Sequence, residues 1–109
     1  MAYLYLAIAI LSEVMATVSL KASEQFSRFF PTILVLIGYL NAFYFLSLSL
    51  RSIPIGSAYA IWSGFGMVLV SVSGYFVYKQ KLDFPAIVGI FFILLGVLIL
   101  TLFSKTTPH

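Results

Sequence analysis

The chain contains no cysteine. Disulfide bridges, thiolate metal sites and cysteine nucleophiles are therefore excluded. Charge is nearly as scarce. Only 8% of the residues are Asp, Glu, Lys or Arg, against roughly 25% in soluble domains. The three acidic residues are Glu13, Glu24 and Asp83. The single histidine, His109, is terminal and carries no ligand signal. No metal cluster, phosphate loop or nucleophile–base set can be assembled from this inventory, so neither an enzyme, a metal site nor an organic cofactor is expected. The formal net charge is +3. The basic residues are not interleaved with stacking aromatics, which excludes nucleic acid as a partner.

What is present is apolar: 62% of the chain is hydrophobic. Four long apolar stretches cover about 3–20, 30–50, 55–78 and 85–103. At ~1.5 Å per residue, each makes a helix able to cross the ~30 Å hydrocarbon of a bilayer. The expected fold is an all-α integral membrane protein with four transmembrane helices and a single domain, 1–109. Pro31 and Pro85 suit the first turns of the second and fourth spans. The N-terminal stretch has no basic leading region, so it reads as a retained helix rather than a cleaved signal. With four crossings both termini lie on one side. Lys21, Arg28, Lys79 and Lys81 occupy the first and third loops, against Arg51 and Lys105 opposite. This small excess favours cytoplasmic first and third loops and leaves insertion in both orientations open. A unit of this size cannot enclose a sizeable substrate path alone, so an oligomer is expected.

Glu13 is the acidic residue inside a span, and it falls near the middle of the first one. A charge at that depth costs ~2.5–3.5 kcal/mol on insertion scales. A carboxyl in apolar surroundings keeps its proton more readily than in water. Once the proton leaves, the carboxylate can pair with a cation. This double capacity suits a site shared by protons and cations. Leu6, Ala9, Ile10, Ala16, Thr17 and Leu20 share the face of Glu13 by helical spacing. Ala9, Ala16 and Thr17 are small, so that either another helix or a bulky ligand can approach the carboxyl.

Other faces admit two readings each. Tyr59, Trp62, Ser63 and Gly66 align on the third helix, as packing or as an aromatic cation site. Tyr39, Phe43 and Leu46 form a stripe on the second helix. Asn41 is a polar residue in that span, suited to an interhelical hydrogen bond. Gly64 and Gly66 flank Phe65 and permit either a hinge or close packing. Gly89, Ile93 and Gly96 align on the fourth helix, as a dimer contact or as packing within the protomer. Lys21 and Asp83 read as solvated helix ends.

The sequence resembles the small multidrug resistance family along its whole length. The carrying segments are AILSEV around Glu13, the LK of Leu20 and Lys21 with SE and F at Ser23 to Phe26, IPIGSAYAIWSGFG from Ile53 to Gly66, LDFPAIVG from Leu82 to Gly89, GVLI from Gly96, and the ending SKTTPH. The resemblance implies an antiparallel, dual-topology homodimer in a bacterial inner membrane. It implies export of lipophilic aromatic and quaternary ammonium cations against proton influx, with protons as the coupling ion. Glu13 would be the carboxyl shared by protons and substrate. Tyr59, Trp62, Tyr39, Phe43 and Leu46 would line the substrate site, with Ser63, Thr17 and Ala9 on the same faces. Gly64 and Gly66 would be the hinge, and Gly89 and Gly96, with Ile93 between them, the dimer contact. Guanidinium exporters of the family tend to carry a Trp soon after the Glu, and VWTG rather than IWSG. Here Val14, Met15 and Ala16 follow Glu13, and Ser63 follows Trp62, which favours the multidrug subtype. The alternatives are a guanidinium or polyamine exporter, in one form as half of a heterodimer, and a structural membrane subunit that transports nothing. Leu95 in the fourth-helix motif and Asn41 near the pocket stripe depart from the small residues of the nearest family pattern.

Overall fold

In hydrocarbon every backbone N–H and C=O must find its partner within the protein, and a helix does so within a single segment. The computed structural model describes residues 1–105 and follows this rule. Four helices run α1 (Ala2–Ala22), α2 (Phe29–Ser49), α3 (Ile55–Tyr78) and α4 (Phe84–Phe103), each long and apolar enough to cross a membrane. His109 lies outside the described residues.

The helix ends explain the connections. α1 continues past Leu20 to take in Lys21 and Ala22, and a cation in a last turn is favoured by the helix dipole. Lys21 Nζ sits 5.5 Å from the centroid of the Tyr78 ring. The Tyr78 hydroxyl donates to the Val18 carbonyl at 2.6 Å, which ties the ends of α1 and α3 together. In the loop that follows, Glu24, Gln25 and Phe26 have φ of 48°, 63° and 66°. A left-handed conformation costs roughly 1–2 kcal/mol per non-glycine residue. Ser23, wholly buried, holds the turn. Its hydroxyl donates to the Leu20 carbonyl at 2.7 Å and accepts from the Phe26 N–H at 3.1 Å. Its carbonyl accepts from the N–H groups of Ser27 and Arg28. Asp83 is exposed, as expected of a helix end, and is also the N-cap of α4, accepting from the Ala86 N–H at 3.0 Å.

α1 and α2 pack along a seam of small residues. Ala9, Ala16, Gly38 and Ala42 are all buried. A Cβ on Gly38 would stand 2.7 Å from Ala16 Cβ and 3.0 Å from the Ser12 carbonyl oxygen, so the two backbones are in contact there. Beside the seam, Asn41 Nδ2 donates to Ser12 Oγ at 2.7 Å. α3 joins α1 through Leu6, Ile10, Ala58, Ile61 and Trp62. α4 packs on α3, and Val97 is its one buried residue among those described. The Cα extents of 45 × 35 × 16 Å describe a slab rather than a closed bundle.

The seam generates a test. Gly38→Ala should destabilise the folded protein by about 1–3 kcal/mol, the usual cost of overpacking. Gly56→Ala, where nothing lies within 4 Å of the added methyl, should change stability by less than about 1 kcal/mol. Denaturation of the detergent-solubilised protein by sodium dodecyl sulfate separates the two.

Candidate functional site

Glu13 lies near the midpoint of α1 and is half-buried. Thr17, one turn further along, donates from Oγ1 to Glu13 Oε1 at 2.8 Å. The same Thr17 oxygen is 2.7 Å from the hydroxyl of Tyr39 on α2. A threonine hydroxyl has one proton to give. With that proton donated to the carboxylate, Tyr39 must be the donor to Thr17. The order is Tyr39 to Thr17 to Glu13, a line of hydroxyls that ends on one carboxylate oxygen. The other oxygen, Oε2, is buried and has no hydrogen-bond partner among the described residues. A Cβ on Gly66 would come within 3.2 Å of it, so the bare α3 backbone packs close to this oxygen.

Glu13 opens onto a cavity of about 340 Å³, within the range of small-molecule sites. Thr17 completes the α1 wall. α3 supplies Tyr59, Trp62, Ser63, Gly66, Met67 and Val70. Among the described residues, Glu13 is the only charged side chain lining it. Trp62 is 9% exposed, whereas Tyr59 is 66% exposed. Trp62 stacks on Phe43 at 5.9 Å between centroids and 26° between planes, and Phe43 stacks on Tyr39 at 6.2 Å and 20°. Three rings from two helices thus lead from the cavity wall back to the tyrosine that terminates the hydroxyl line. The arrangement offers one carboxyl beside aromatic faces, which suits a cation without strong hydrogen-bond donors.

The residues singled out from the sequence separate into groups. Glu13, Thr17, Tyr59, Trp62, Ser63 and Gly66 meet at the cavity. Tyr39 acts there through Thr17, and Phe43 through Trp62. Ala9 is wholly buried in the core, and Leu46 packs against that core; neither lines the cavity. Gly64 faces α4, where a Cβ would meet Val97 Cγ2 at 2.6 Å. α3 runs unbroken through Gly64 and Gly66. Gly89 and Gly96 have nothing within 4 Å of an added Cβ, and Ile93 is exposed. Asn41 is spent on Ser12 outside the cavity, and Leu95 is exposed on α4. Met67 and Val70 are cavity residues that the sequence reading passed over. They stand four and seven residues beyond Ser63, so helical spacing carried a signal for them.

The profile of the Small Multidrug Resistance protein family matches residues 1–93. The chain belongs to this family. It is 54% identical over 107 residues to a multidrug transporter of Pseudomonas aeruginosa, covering 98% of this chain and 97% of that one. It is 49% identical to the quaternary ammonium compound-resistance protein QacF of Klebsiella aerogenes and 48% identical to the multidrug transporter EmrE of Escherichia coli, with the same coverage in each case. The small multidrug resistance proteins are transporters, not enzymes. Four spans and these relatives make the chain a multi-pass bacterial membrane protein.

The hydroxyl line can be tested by spectroscopy. Glu24→Gln leaves Glu13 as the only glutamate, so isotope-labelled glutamate then reports on one carboxyl. Thr17→Val and Tyr39→Phe should each shift the carboxylate stretching band, and Thr17→Ser should leave it in place. Thr17→Val removes a hydrogen bond to a charged group, worth about 1.5–3 kcal/mol.

Proposed function

We propose that this small multidrug resistance protein is a proton-coupled antiporter that exports lipophilic aromatic and quaternary ammonium cations. The observation that carries the reading is the state of Glu13. One carboxylate oxygen is held by Thr17, the other is buried with no hydrogen-bond partner among the described residues, and the side chain lines a cavity together with Tyr59 and Trp62. The names of the relatives, multidrug transporter and quaternary ammonium compound-resistance protein, agree with that chemistry. A quaternary ammonium ion has no N–H to donate. It is held by charge and by aromatic and apolar contact, which Glu13, Trp62 and Tyr59 supply.

In this reading a proton and a cation compete for the same carboxyl. Deprotonation on one side of the inner membrane lets the cation settle against Trp62. Protonation on the other side removes its counter-charge and releases it. Each pH unit of gradient offers about 1.36 kcal/mol per proton. A second, antiparallel copy closes the open flank of the slab and brings a second Glu13 to a common chamber. The uncovered face of Gly89, Ile93 and Gly96 is the proposed contact between copies. Alternating access comes from α3 bending near Gly64 and Gly66. No cofactor takes part.

The test is equilibrium binding of tetraphenylphosphonium to the detergent-solubilised protein across about pH 5 to 9. Affinity should fall as pH falls, approaching about tenfold per unit for each proton displaced. Glu13→Gln should not bind. A pH-independent affinity, or full binding by the Gln variant, contradicts the reading.

A further inference from the structure

Two cavities meet at the C-terminal end of α3, and neither contains Glu13. One, of about 330 Å³, is lined by Tyr75, Phe76, Lys79 and Lys81. The other, of about 240 Å³, is lined by Val72, Leu82 and Ile87 together with Ser71, and by Tyr75 and Phe76 again. Tyr75 and Phe76 are therefore a shared wall between a basic mouth and an apolar crevice. Their rings meet edge to face at 5.3 Å and 88°. Aromatic side chains at the end of a span belong at the headgroup level of a bilayer.

Lys79 is fixed by the end of its helix, and Lys81 lines the same mouth. Lys79 is the left-handed cap residue of α3, and the following N–H, of Gln80, bonds back to the Gly74 carbonyl at 3.1 Å. Asp83 is the nearby carboxylate in sequence, and its Oδ1 is occupied by the Ala86 N–H. Among the described residues no ion pair holds either Lys79 or Lys81. Two cations thus stand at the polar end of a crevice whose far walls, Val72 and Ile87, are apolar. The two helices forming that crevice meet closely elsewhere, at Gly64 and Val97.

We propose that this double cavity binds one anionic phospholipid. The headgroup phosphate lies on Lys79 and Lys81, and an acyl chain follows the crevice past Val72, Leu82 and Ile87. A free phosphate has no use for the apolar continuation. A transported cation is repelled by the lysines. The site is therefore distinct from the Glu13 cavity, and it stands or falls independently of the transport reading.

The full-length protein, delipidated in neutral detergent, is titrated with dioleoyl phosphatidylglycerol and with dioleoyl phosphatidylcholine, and bound lipid is counted by native mass spectrometry. The two lipids share acyl chains and differ in headgroup charge. Phosphatidylglycerol should be retained preferentially, and the preference should weaken with salt. Lys79→Ala with Lys81→Ala should reduce that retention about 25-fold, at about fivefold per lysine near an anionic surface. Ile87→Trp, which fills the crevice, should reduce retention of both lipids, with helix content and elution volume unchanged. Equal retention of the two lipids, or no effect of the double variant, overturns the proposal. So does complete displacement of phosphatidylglycerol by millimolar inorganic phosphate, which would mark a simple anion site.

Discussion

The structure depends on one interaction: the hydroxyl support given to a carboxyl placed within an apolar span. In the proposed antiport, a lysine or arginine beside Glu13 would form a permanent pair and leave nothing to exchange. Neutral hydroxyls fill the role instead, with Thr17 on one carboxylate oxygen and Tyr39 behind it. That support depends on packing. Gly38 lets the α2 backbone touch α1 at Ala16. The next residue on each helix, Tyr39 and Thr17, is thereby brought within 2.7 Å. A larger residue at position 38 would separate the helices and break the line of hydroxyls. Seam and site are thus one device. Gly66 plays the matching part on α3, where a bare backbone packs close to Oε2.

The slab shape follows from how the apolar surface is distributed. α1 and α2 use their small residues on each other, and α3 covers the remaining flank of α1. α4 is the most apolar helix and the least buried. It is attached through Val97, which fits against Gly64. In water such a helix would be an aggregation hazard. In a bilayer it is stable and available to lipid or to a second copy. The cavity at Glu13 is unfinished in the same sense, with Tyr59 largely exposed at its edge.

Much of this was legible in the sequence because membrane insertion imposes simple rules. Span number follows from apolar length, and Glu13 stands out because it is the acidic residue within a span. The aromatic face of α3 follows from helical spacing. Spacing defines a face but not its neighbour. Ala9 and Thr17 share the face of Glu13, yet Ala9 is sealed in the core and Thr17 touches the carboxyl. Gly64 and Gly66 look alike in the chain and differ wholly in what they meet, Val97 for one and Glu13 for the other. The left-handed turn at Glu24, Gln25 and Phe26 could not be read either, because no glycine marks it. It rests on a buried serine whose hydroxyl does the work usually left to backbone freedom.

The central claim is that a proton and a cation occupy Glu13 in turn, never together. Proton release on binding measures this directly. Saturating tetraphenylphosphonium is added to the detergent-solubilised protein in weakly buffered solution, at a pH where Glu13 holds its proton before the cation arrives. The account predicts protons appearing in the medium in proportion to cation bound, as linkage requires. It also predicts no release from a chain carrying Gln at this position. Cation binding with no proton release at any pH from about 5 to 9 would contradict it, and Glu13 would then be a structural carboxyl beside a site governed by something else.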